Sequence, residues 1–178
     1  MNKFTTWRYT HNPLKFYKLN PDAKAPVFAT EGSACFDIHA SLIEGAEVEL
    51  YAPGNSKAAG TVMDRQFKIQ PGERVMIPTN LIFDIPEGWS VRIHPRSGIS
   101  LKHGLILGNQ EGIIDSDYVE PVFILLTNTS IKDYTIHNDD RICQGEMVIS
   151  PRYHLEEIQE KPTKKTDREG GFGSTGNK

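Results

Sequence analysis

The sequence predicts an all-β, single-domain protein: an antiparallel jelly-roll-like β-barrel or sandwich that ends in a flexible Gly-rich C-terminal arm. Three observations predict it. Short apolar runs recur at close spacing, separated by Pro, Gly, Asn and Asp turns. No long amphipathic helix interrupts them. From Glu156 onward the apolar pattern stops, and the chain becomes charged and then glycine-rich. The barrel is the architecture expected, over residues 1–159, with the arm over 160–178.

Residues 1–13 are polar and irregular, with Trp7 and Tyr9 as candidate anchors. Residues 14–19 form the first strand, stopped by Asn20-Pro21-Asp22. Small residues at Gly32-Ser33-Ala34 then lead into the alternating Phe36-Asp37-Ile38-His39. Alternation puts Asp37 and His39 on one face, opposite Phe36 and Ile38, and taken alone that face reads as solvated. Residues 44–66 are rich in small and turn-forming types and read as a long surface loop or an extra hairpin, an insertion. Strands then follow quickly at 67–69, 74–77, 81–85 and 89–93, parted by Pro71-Gly72, Pro78-Thr79-Asn80 and Pro86-Glu87-Gly88. One helical turn is expected at 99–103, and further strands at 134–136 and between 141 and 149.

The chain is organised around Gly112-Ile113-Ile114-Asp115-Ser116-Asp117-Tyr118. This stretch lies between the apolar runs 105–107 and 122–126, and the three pieces read as a hairpin with a tight turn. Two readings of Asp115 and Asp117 stand at this point: carboxylates held out for chemistry, or turn formers bonded to nearby backbone.

The tail poses a similar choice. Residues 160–167 read as a solvated tether, which ends in Arg168-Glu169-Gly170-Gly171-Phe172-Gly173-Ser174-Thr175-Gly176. Its glycine backbone, Arg, Ser and Thr could wrap a phosphate chain while Phe172 closes over a base. By composition alone it is a disordered Gly/Ser tail.

Twenty Lys and Arg against 23 Asp and Glu give a net charge of −3, which supplies no broad basic face for a nucleic-acid duplex. Cys35 and Cys143 have no paired-ligand spacing, which argues against a disulfide framework or zinc site. The start of the chain lacks the apolar core of a signal peptide, and no run approaches membrane-spanning length. A soluble, cytoplasmic or otherwise intracellular protein with no membrane partner is expected.

Five segments stand in order along the chain: residues 33–40, 95–100, 109–118, 140–144 and 168–176. They read Ser33-Ala34-Cys35-Phe36-Asp37-Ile38-His39-Ala40, Pro95-Arg96-Ser97-Gly98-Ile99-Ser100, Asn109 through Tyr118, Asp140-Arg141-Ile142-Cys143-Gln144, and the tail. Together they resemble the five ordered motifs of the all-β, homotrimeric dUTP diphosphatases, the dUTPases. Residues 1–13 and 44–66 lie outside the resemblance. Cys35 stands where the first motif usually has glycine, and Asp139 precedes the fourth where glycine is common. Val119-Glu120-Pro121 lacks the glycine usual after the tyrosine, and Arg168 sits one residue nearer Phe172 than usual.

The resemblance implies cleavage of dUTP to dUMP and pyrophosphate by water attack on the α-phosphorus, with Mg²⁺ as cofactor. It implies that Asp115 orients and deprotonates the water and that Asp37 positions the metal through bound waters. Arg96, Ser97 and Gly98 would cradle phosphates, and Gln144 would touch the α-phosphate. Main-chain groups of Gly112, Ile113 and Ile114, with Asn109 beside them, would read uracil, and Tyr118 would pack under the deoxyribose. Phe172 would stack on the base, while Arg168, Ser174 and Thr175 hold the γ-phosphate, with Gly173 in the same binding stretch. A homotrimer with sites shared at its interfaces follows from the same resemblance. Two alternatives are carried: a dCTP deaminase-like enzyme of the same fold, and a nucleotide-sensing or partner-binding protein with weak turnover. In the second, residues 44–66 would be a protein-partner surface rather than a plain surface loop.

Overall fold

The computed structural model describes residues 13–167. The chain opens with β1 (Lys15–Lys18), the two-residue β2 (Val27–Phe28) and β3 (Phe36–His39). Within 44–66, β4 (Glu47–Tyr51) and β5 (Lys57–Thr61) form a hairpin, with Val48 and Leu50 of β4 turned inward. Then come β6 (Gln66–Ile69), β7 (Arg74–Pro78), β8 (Leu81–Asp84) and β9 (Trp89–His94). The turn from β6 to β7 uses Gly72 at φ +77, a left-handed conformation that glycine adopts without strain. The helix α1 (Ser97–His103) ends at Gly104, whose left-handed N–H donates to the Ser100 carbonyl at 3.1 Å. It is followed by β10 (Leu105–Leu107), β11 (Gly112–Ile114), β12 (Phe123–Asn128), β13 (Tyr134–His137) and β14 (Arg141–Ile149).

Two five-stranded antiparallel sheets carry the fold, in the orders β10-β12-β7-β4-β5 and β11-β9-β14-β3-β2. Two-stranded pairs β1-β8 and β13-β6 flank them. Alternate residues of both large sheets enter one apolar core, among them Val75, Ile77 and Leu126 from the first and Phe36, Ile38 and Val91 from the second. Burying one such side chain stabilises the fold by about 1.5–3 kcal/mol.

The expected β-barrel is corrected by this topology. Neither large sheet closes on itself: β10 and β5 bound the first and β11 and β2 the second. β2 has only two residues, and β5, Lys57-Ala58-Ala59-Gly60-Thr61, is largely exposed. Strands this short or this polar terminate a sheet instead of joining it to another. The architecture is an open sandwich.

The simple hairpin read into residues 105–126 is also corrected, although a tight turn does stand at residues 115–118, where the Tyr118 N–H donates to the Asp115 carbonyl at 3.2 Å. The flanking runs do pair, with Leu107 opposite Leu126 in the β10–β12 ladder. Between them, however, the chain crosses to the other sheet, where β11 pairs with β9 in the register Gly112↔Ile93 and Ile114↔Val91. Gly112 permits this approach, because a Cβ there would stand 3.0 Å from Ile93 Cβ. Ile114 is buried, which fixes the crossing by apolar contact.

Among the described residues no helix is long and apolar enough to cross a membrane. Residues 151–167 are exposed and contain no strand or helix.

Candidate active site

Asp37 projects from β3 on the face opposite Phe36 and Ile38, yet it is only 7% exposed. Two guanidinium groups cover it. Arg96 Nε lies 3.0 Å from Oδ1, and Arg141 Nη1 lies 3.1 Å from Oδ2. Arg96 also donates from Nη1 to the Arg141 carbonyl at 3.2 Å. Two cations to one carboxylate leave the cluster with an excess positive charge, suited to an anionic oxygen. Gln144 stands directly across the ladder from Asp37 and donates from Nε2 to the Pro95 carbonyl at 3.0 Å. Asp37, Arg96, Ser97, Gly98 and Gln144 thus line one hollow of about 400 Å³, together with Arg141 and Cys35.

Arg141 and Cys35 are residues that sequence reasoning left without a role. Arg141 belongs to the fourth motif, but its aim at Asp37 depends on the register shift in β14 between Arg141 and Cys143. Burial, and secondarily Glu146, pushes the Cys35 thiol up from its ordinary value. Cys143, fully buried behind the same cluster, is pushed up far more strongly by burial, with Asp37 adding to the effect. Both cysteines are free. Burial lowers the His39 imidazole against the opposing pull of Asp37 and Asp139, and its Nδ1 is buried with no hydrogen-bond partner among the described residues.

A second hollow, about 260 Å³, is lined by Asn109, Gly112, Ile113, Ile114 and Tyr118 over an apolar floor that includes Leu107 and Phe123. The turn that presents Asn109 is tight. Gln110 sits at φ +64, and the Glu111 N–H donates to the Asn109 carbonyl at 2.7 Å. The Tyr118 hydroxyl donates to the Pro121 carbonyl at 3.1 Å.

Asp115 joins neither group. It is exposed and lines a third hollow of about 480 Å³ with Asp117, Glu87, Trp89 and Arg152. β11 and β3 are separated by β9 and β14 in their sheet. At about 4.8 Å per strand spacing, β11 lies roughly 14 Å from the strand that carries Asp37. One chain therefore holds the sequence-predicted residues in separate places. Arg168, Phe172, Gly173, Ser174 and Thr175 lie outside the described residues, as do Trp7 and Tyr9.

Among the described residues no three His, Cys, Asp or Glu side chains converge on a metal position. Asp37 is the carboxylate within the anion hollow, and each of its oxygens keeps an acceptor position beyond the guanidinium it already serves. That donor set fits a hydrated cation shared with a phosphate ligand rather than a cage built by protein alone.

The family model described as dUTPase matches residues 46–176. The chain belongs to the dUTPase family. The match takes in residues 46–66, which the motif resemblance left out, so the whole β4–β5 hairpin lies within the family region. The chain is 36% identical over 164 residues to the deoxyuridine 5'-triphosphate nucleotidohydrolase of Caulobacter vibrioides, covering 92% of each chain. It is 40% identical over 157 residues to that of Dinoroseobacter shibae, covering 85% of this chain and 86% of the relative. Among solved structures, a point mutant of the Staphylococcus bacteriophage 80alpha dUTPase with dUpNHpp superposes with a TM-score of 0.72. That match is 22% identical and covers 93% of this chain and 99% of the other, a likeness in fold. In this dUTPase-family chain, the first, second and fourth motifs meet around Asp37, while the third divides between the 260 Å³ hollow and the hollow that Asp115 lines.

Proposed function

We propose that this dUTPase-family chain hydrolyses dUTP to dUMP and pyrophosphate by attack of an Asp115-activated water on the α-phosphorus. The observation that carries the reading is the buried Asp37 carboxylate clamped between Arg96 and Arg141, with Gln144 across the ladder. Arg96, Ser97 and Gly98 hold the phosphate chain, and Gln144 turns its amide to the α-phosphate. Arg141 keeps Asp37 ionically paired and oriented. Asp37 would hold magnesium through water, and the ion would supply charge neutralisation along the triphosphate. Asp115 is the catalytic residue and takes the proton of the attacking water, a step typically worth about 10²–10⁴-fold.

Asn109 and the main chain of Gly112, Ile113 and Ile114 read uracil, while Tyr118 packs under the deoxyribose. Cytosine inverts the donor and acceptor at N3 and at position 4 and leaves the groups that read them unpaired. Residues 1–159 act as the domain and 160–178 as an arm that closes over the nucleotide. In the arm Phe172 stacks on the base, and Arg168, Gly173, Ser174 and Thr175 reach the γ-phosphate. The protein works as a homotrimer with sites shared between subunits. The separation of Asp115 from Asp37 within one chain supports this, because each needs a partner from elsewhere.

The test is pyrophosphate release from dUTP, dCTP, dTTP and UTP with magnesium, for the native chain and Asp115→Asn. Release from dUTP alone, falling about 10²–10⁴-fold in the variant, is expected. Ammonia release from dCTP, or dUTP binding without pyrophosphate release, would overturn the proposal.

A further inference from the structure

One face of the β11-β9-β14-β3-β2 sheet carries a continuous polar strip. Asp37 stands opposite Gln144, and Gln144 stands opposite His94, so the three side chains occupy one row across β3, β14 and β9. Arg92 and Glu146 are paired in the next row on the same face. His94 Nε2 approaches Glu146 Oε1 at 3.2 Å, and its Nδ1 lies 3.8 Å from Glu111 Oε1. The other oxygen of Glu111 lies 3.6 Å from Arg92 Nη1. Glu111 belongs to the turn that presents Asn109, and it immediately precedes Gly112 of β11.

We propose that Glu111 and His94, supported by Arg92 and Glu146, form an ionic brace that holds the base-reading turn in register with the phosphate-binding row. They are positioning residues that set discrimination between uracil and other bases. The inference rests on the functional reading above, in which Asn109 and Gly112 face uracil.

Three features support it. Gln110 at φ +64 places a non-glycine residue in the left-handed region, a conformation that persists only when its surroundings hold it. The main-chain bonds nearest that residue are local, Gln110 N–H to the Leu107 carbonyl at 3.1 Å and Glu111 N–H to the Asn109 carbonyl at 2.7 Å. They shape the turn, while its two ends are held by the Gly108 N–H to the Leu125 carbonyl at 2.9 Å and by the Gly112↔Ile93 pairing. Between those ends the Glu111 carboxylate adds a side-chain tether, which reaches β9 at Arg92 and at His94, two residues before Arg96. One polar chain therefore runs from the turn through His94 to the row of Gln144 and Asp37. A shift of the turn would move the uracil readers relative to the α-phosphate.

The test compares native protein with Glu111→Ala, His94→Ala, the double variant and the conservative Glu111→Gln. Steady-state kcat and KM are measured with dUTP and dCTP, and calorimetry gives the affinity for dUMP. In the alanine variants the KM for dUTP should rise about tenfold and dUMP affinity should fall by a similar factor, the lower end for loss of a charge-assisted contact. Saturating kcat should stay within about twofold, since the groups that touch phosphorus are retained. Preference for dUTP over dCTP should narrow. The double variant should be no worse than the singles, and Glu111→Gln should recover part of the loss.

Unchanged dUMP affinity and base preference in the double variant would overturn the brace. So would a fall in kcat shared equally by all substrates with dUMP affinity intact. Native protein that binds no deoxyuridine nucleotide would instead overturn the functional reading, which separates the two failures.

Discussion

Asp37 and Cys143 show how far a residue's surroundings can depart from its place in the strand pattern. Asp37 faces away from the core and alternation alone makes it solvated, but Arg96 and Arg141 close over it. Cys143 lies beneath, opposite Ile38 in the ladder, with no exposed surface. Burial holds its thiol protonated well above the ordinary range. An unfolded thiol loses its proton above about pH 8.5, whereas the folded one keeps it. The folded state then binds more protons than the unfolded state, so stability is fully present below that pH and declines as pH rises. The slope approaches about 1.4 kcal/mol per pH unit for one such group. Urea denaturation between pH 7 and 10 should therefore fall more steeply for the native chain than for Cys143→Ala. Equal slopes would refute it. Asp37, Arg96 and Gln144, which line one hollow, could be singled out because they sit within recognisable motifs. Arg141 was not, because its approach to Asp37 depends on an irregularity in β14 that periodicity does not encode.

At the scale of elements, the pairing of β14 with β3 fixes the site. Gly145 lies opposite Phe36, and a Cβ at that position would meet the Phe36 ring at 2.7 and 2.8 Å. The ring is hemmed in by Phe28 at 5.9 Å and Phe83 at 6.2 Å, both edge-on, so it has little room to yield. Gly145→Ala should cost about 1–3 kcal/mol by overpacking, read as a lower urea midpoint. Activity should fall with it, because the next pair along the ladder is Gln144 and Asp37. A variant of native stability and activity would show that β3 and β14 tolerate separation. Most strands were legible from period-two alternation and their Pro and Gly punctuation: residues 74–77 foreshadow β7 and residues 89–93 foreshadow β9. β11 was not. Three residues are too few for a period, and their partner β9 lies in the sheet opposite to that of their sequence neighbours β10 and β12.

For the whole molecule, the same alternation suits an open sandwich and a closed barrel equally. Closure depends on whether edge strands find each other, and β2 and β5 do not. That is why the all-β character was legible and the barrel was a misreading. The proposed homotrimer makes a further demand. Asp37→Asn and Asp115→Asn chains, each inactive alone, should regain activity when unfolded together and refolded. Random assembly of a cyclic trimer would restore about a quarter of the native rate, with one intact site in each mixed trimer. No recovery would place Asp37 and Asp115 in the same subunit's site.

The excursion of β11 has one more consequence. The chain leaves one layer, takes an edge of the other and returns, so residues 108–122 act as a clasp across the sandwich. The cleft they line exists only while both layers are docked. A nascent or damaged molecule whose layers have parted lacks this cleft altogether. With uracil read there, as proposed, recognition of the nucleotide doubles as an inspection of the fold.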